Sequence, residues 1–82
     1  MNNPIMRKIV VGAAYQALPS IRGTFEVSTA PANVGVVFFK GDDGSDVPWV
    51  AGEYHTFERI DLASLQVKGT PGDVVTVIGG SW

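Results

Sequence analysis

The sequence contains no cysteine and a single histidine. The first absence excludes a disulfide framework and any thiolate metal site. The second leaves too few nitrogen and sulfur ligands for a zinc site. Charge is sparse as well. Six basic and eight acidic side chains give a net charge of −2, which provides no broad basic footprint for nucleic acid or for an anionic membrane surface. No run approaches the ~20 consecutive apolar residues that a membrane-spanning helix needs, and no amphipathic stretch of helical period occurs. Neither nucleic acid nor membrane is therefore an expected partner, and no cofactor is expected. The 82 residues leave room for one domain. A domain of that size buries only ~60% of the surface its unfolded chain exposes. Packing must supply the stability, and association with other copies or with a larger assembly is the expected supplement.

What is present reads as strand. Arg7 and Lys8 precede the apolar run Ile9–Ala14 in a way that imitates a signal peptide. The run is short, Tyr15 and Gln16 interrupt it, and no small-x-small cleavage site follows, so a strand is expected instead. Thr24-Phe25-Glu26-Val27-Ser28 alternates polar and apolar with period two, which predicts a half-buried strand with Phe25 and Val27 inward. The piece Val47–Val50 contains Pro48, which cannot donate to a ladder and belongs at an edge or in a crossing loop. Asp61 is placed to cap one helical turn over residues 62–65. Gln66–Lys68 and Val74–Ile78 flank Gly69-Thr70-Pro71-Gly72-Asp73 and are expected to pair as a hairpin. Pro71 and Gly72 suit the two central positions of a type II turn. Strands are expected near 7–14, 23–29, 34–40, 53–60, 65–68 and 74–79, with residues 1–6 as an N-terminal arm and 7–82 as a single β domain. The fold class is all-β, a small sandwich or barrel of about six short strands.

The segment Val34–Lys40 is the most apolar. Val34, Val36 and Phe38 alternate with Gly35, Val37 and Phe39, so both faces are apolar and both need cover. In one small domain the second cover is expected to be a neighbouring subunit. Val34, Val36, Val37, Phe38 and Phe39 are therefore candidate interface residues. Trp49 and Trp82 join them as aromatic anchors, Trp82 standing beyond the diglycine Gly79-Gly80.

Candidate chemistry is thin. His55 lacks a serine in a nucleophile-elbow pattern, and a side chain at the surface or an interface is expected there. The loop Asp42–Glu53 puts Asp46 and Glu53 at two ligand positions of a calcium loop, but Gly44 and Val47 fall where a ligand and a glycine are wanted. A solvated turn is expected. The glycine-rich segments lack the lysine and helix of a phosphate loop. No catalytic, cofactor or metal residue is assigned.

The second half, from the acidic glycine turn through Val47-Pro48-Trp49-Val50, Ala51-Gly52-Glu53, Asp61-Leu62-Ala63-Ser64-Leu65 and Val67-Lys68-Gly69 to Gly72-Asp73-Val74-Val75 and Ile78-Gly79, resembles small β-sandwich proteins of tailed bacteriophage virions, such as capsid decoration (cement) proteins. The resemblance covers about residues 34–80. It implies a non-enzymatic structural protein that binds and stabilises the head shell. Such a protein would be made in the host cytoplasm and would lie on the capsid surface. Its partners would be the major capsid protein or another virion protein and further copies of itself, with a trimer as the expected homo-oligomer. The alternative is a tail- or fibre-associated binding module contacting carbohydrate, with Trp49 or Tyr54 stacking on sugar faces beside Asp42 and Asp46.

Overall fold

The computed structural model describes residues 3–81, and they form two antiparallel four-stranded sheets packed face to face. In chain order the strands are β1 (Asn3–Val10), β2 (Gln16–Ala17), β3 (Arg22–Thr29), β4 (Val37–Lys40), β5 (Val47–Trp49), β6 (Tyr54–Asp61), β7 (Gln66–Lys68) and β8 (Val74–Ser81). A 3-10 turn, Leu62–Ser64, follows β6, and the Asp61 side chain caps it by accepting from the Ala63 N–H. The first sheet has the order β1-β8-β3-β6 and the second β2-β7-β4-β5. The chain changes sheet at every connection except β4–β5. The fold is thus the expected small all-β domain, in sandwich form.

Period two explains what the core contains. Phe25, Val27 and Thr29 of β3, and Val75 and Val77 of β8, turn inward from the first sheet and are almost fully buried. Val37, Phe39, Trp49 and Val67 meet them from the second, and Val11, Leu18 and Leu62 close the ends. The Phe39 and Trp49 rings stack at 3.7 Å, and Phe57 lies parallel to Trp49 at 6.4 Å. Gly79 stands opposite Phe25, where a Cβ would collide with the Thr24 carbonyl oxygen. A glycine is required so that β8 can approach β3 there.

Four expectations are corrected. The segment 1–6 is not an arm throughout. β1 begins at Asn3 and pairs with β8 along its whole length, with Pro4 tolerated because β1 is an edge strand; Met1 and Asn2 lie outside the described residues. The expected strand 7–14 ends at Val10, because the Asp73 N–H that would continue the ladder is taken by the Thr70 carbonyl, and the Val11 and Gly12 carbonyls accept instead from Gly72 and Gly69. The expected hairpin of β7 and β8 does not form. Its turn has the predicted chemistry: the Asp73 N–H donates to the Thr70 carbonyl at 3.0 Å and Gly72 has φ of 96°. A type II turn, however, splays the strands that it joins, and β7 and β8 part into opposite sheets. Finally, the strand expected over 34–40 begins only at Val37. The Asp73 carboxylate takes the Val34 and Gly35 N–H groups at 3.0 Å each, so the first turn of that segment follows a side chain instead of a ladder.

Candidate functional site

The residues expected at an interface separate. Val37, Phe39 and Trp49 belong to the chain's own core, Trp49 with only 5% of its surface exposed, so they are not interface residues. They lie on the inward side of β4 and β5, where the first sheet already covers them. Val34 and Val36 are exposed and precede β4. Phe38 is half-buried on the outward side of β4. Its neighbours around a shallow depression are Ala13, Val36, Lys68, Gly69 and Thr70, and the Lys68 ammonium stands 5.9 Å from its ring. The outer face of that strand therefore has cover from within the chain. Trp82 lies outside the described residues.

The exposed large apolar side chains divide between the region in and around β4 and β5, where Val34, Val36, Val47 and Val50 stand, and the outer face of the first sheet. Register places Met6, Ile78, Glu26 and Thr56 in one row across β1, β8, β3 and β6, and Lys8, Thr76, Ser28 and Tyr54 in the next. Val10 and Val74 follow. Met6 is 72% exposed, Tyr54 63%, Val10 55% and Ile78 46%. Met6 and Ile78 are direct cross-strand partners, so they form one apolar spot, with Lys8 and Glu26 beside it. The sequence signal for this face was the alternation within β1 and β8. It separates Met6, Lys8 and Val10 from Ile5, Arg7 and Ile9, but carries no sign for which set turns outward.

Polar side chains act mainly as turn clamps. The Asn33 amide donates to the Val74 carbonyl and accepts from its N–H, at 2.9 and 2.8 Å. The Thr29 hydroxyl donates to the Val50 carbonyl at 2.6 Å and accepts from the Glu53 N–H at 3.1 Å. Asp43 takes the Ser45 N–H, a backbone bond that lowers its pKa. Asp46 accepts from the Tyr15 hydroxyl, and Tyr15 is pushed up to about 12 by desolvation and by that carboxylate. The acidic loop is a turn stitched to its surroundings. Among the described residues no group of three or more histidine or acidic side chains is placed to hold a metal ion.

His55 is the one side chain with triad-like company. Its Nε2 donates to Glu53 Oε2 at 2.7 Å, since an ionised carboxylate can only accept. Glu53 Oε1 takes the Val50 N–H at 3.0 Å, and the ring meets Trp49 edge-on at 4.7 Å. No hydroxyl bonds the other ring nitrogen among the described residues, so this is a base with an orienting acid and no nucleophile. The hydrogen bonds from His55 and then from Val50 hold the Glu53 carboxyl below its ordinary value. A carboxyl lowered by folding stabilises above its unfolded-state value, and that contribution is lost as the pH falls through the lowered one. Glu53→Gln is accordingly expected to reduce stability at neutral pH and to converge with the wild type in acid, as read from urea melts across a pH series.

Comparison of the chain with family models, curated proteins and solved structures finds no match in any of the three.

Proposed function

We propose that the chain is a non-enzymatic structural module that works by docking the outer face of its first sheet onto an assembly, and that this assembly is the virion of a tailed bacteriophage, with the protein decorating the head shell. The observation that carries the docking reading is the exposure of Met6, Val10, Tyr54 and Ile78 on one face of a four-stranded sheet. Covering a few hundred Å² of such surface at ~25 cal/mol per Å² contributes several kcal/mol, comparable with the whole stability of a small domain. The virion assignment is supported by the sequence resemblance of the second half. Carbohydrate contact is the weaker alternative, because of its two stacking candidates Trp49 is buried against Phe39 and only Tyr54 is exposed.

Sedimentation tests the reading. The wild-type protein is expected to sediment as a homo-oligomer, a trimer in the first instance, and with phage heads when they are added. Ile78→Lys, which puts a charge at the centre of the face, is expected to sediment as a folded monomer and to stay behind in the supernatant. A wild-type protein that remains monomeric and binds no virion component would sink both parts of the proposal.

A further inference from the structure

Arg59 is the only residue other than glycine with positive φ among the described residues, at 54°. Its position explains the geometry. Gly23 pairs with Ile60 and Phe25 with Phe57, so Glu58 and Arg59 of β6 stand opposite the single residue Thr24 of β3. This is a bulge with the extra residue on β6, and the Arg59 N–H leaves the ladder for the Thr24 hydroxyl at 3.3 Å. Glycine adopts that left-handed conformation without strain, whereas arginine must be held there. A bulge breaks the alternation of side chains along a strand and re-aims the residue it carries. Here the residue lines a depression of about 420 Å³ together with Arg22, Gly23, Ile60 and Asp61. Arg22 opens β3 and Asp61 closes β6, and the two pair across the ladder. The Arg22 guanidinium is 3.9 Å from Asp61, and Asp61 also accepts from the Ser20 hydroxyl.

We infer that this depression is a binding site for a carboxylate carried on an apolar body, held by the guanidiniums of Arg22 and Arg59. Guanidinium groups bind carboxylates through paired, charge-assisted hydrogen bonds. The lining residues include two arginines and one aspartate, an excess of one positive charge. That excess matches a singly charged carboxylate better than a doubly charged phosphate. Gly23 brings no side chain into the space, and Ile60 supplies an apolar wall. The site uses none of the residues of the docking face, so it stands if that reading fails.

Benzoate is the probe, with benzamide and inorganic phosphate as controls at equal ionic strength, followed through the amide resonances of Gly23, Arg59 and Ile60. Benzoate is expected to move them to saturation, benzamide to leave them in place, and phosphate to bind more weakly. Arg22→Gln and Arg59→Gly are each expected to weaken benzoate about tenfold or more. Because Arg22 is 88% exposed, its replacement leaves the fold intact. Arg59→Gly is expected to leave the thermal midpoint unchanged or higher, since glycine relieves the strained position. Absence of saturable benzoate binding, equal binding of benzamide, or tighter binding of phosphate would overturn the assignment. So would an Arg59→Gly protein that binds benzoate like the wild type, or one whose midpoint falls with its affinity, which would make Arg59 a structural residue.

Discussion

Phe25→Ala is expected to leave the domain largely unfolded at room temperature in mild denaturant. Phe25 has no exposed surface and sits in a row between Gly79 of β8 and Phe57 of β6. Gly79 has no side chain to move into the space, and the backbones of β3 and β8 are already too close there to admit a Cβ. The cavity therefore cannot collapse, and removing a buried phenylalanine under that condition costs about 3–5 kcal/mol. The whole stability expected of 82 residues is roughly 4–12 kcal/mol. Urea melts of the variant should show a midpoint near the lower end of the denaturant range, with the slope unchanged. A loss below about 1 kcal/mol would mean that the packing centre lies elsewhere.

The second large effect belongs to a polar residue. Asp73 is 6% exposed, and its carboxylate closes the N–H groups of Val34 and Gly35 at 3.0 Å each. Its own carbonyl accepts from Val11. One residue thus ties the end of β1, the approach to β4 and the start of β8. Asp73→Ala removes two charge-assisted bonds, and the expected loss is about 2–3 kcal/mol, because water reaches the exposed neighbourhood of Val34 and recovers part of the deficit. Asp73→Asn keeps one acceptor and should fall between the two. Amide hydrogen exchange is the specific readout, with the Val34 and Gly35 amides losing protection first. If their protection is unchanged in Asp73→Ala, the clamp is not what holds this segment.

Asp73 also shows where reading the sequence reaches its limit. Its neighbours Pro71 and Gly72 announced a type II turn, and the turn is there. What the turn joins depends on partners far along the chain. Glycine-aspartate after proline fits a hairpin and a crossover equally well, and only the burial of Val67 in one sheet and Val75 in the other separates them. The candidate interface residues divide for a related reason: Val37, Phe39 and Trp49 are core, whereas Val34 and Val36 are exposed. The alternation from Val34 to Phe39 carries two apolar faces, but Val34 and Val36 precede the strand, and Phe38 borrows cover from Lys68. Met6, Val10 and Ile78, exposed on the outer face of the first sheet, lie on β1 and β8, in segments whose alternation is visible in the sequence while its direction is not. Arg59 gave no signal at all, since no residue type at that position announces a bulge.

The sequence by itself determined the all-β class, the inward pair Phe25 and Val27, the exclusion of Pro48 from a central strand, the cap by Asp61 and the turn at Pro71-Gly72. Each of these depends on φ/ψ preferences or on period-two alternation within a few consecutive residues, and such terms act wherever the segment finds itself. Only the tertiary structure decided which strands share a sheet, which side of β1 and β8 meets solvent, and why an arginine occupies a glycine's conformation beside Arg22. Those outcomes depend on pairing between residues far apart in the chain, where the gain comes from burying one face against another, and local preference is silent about the partner.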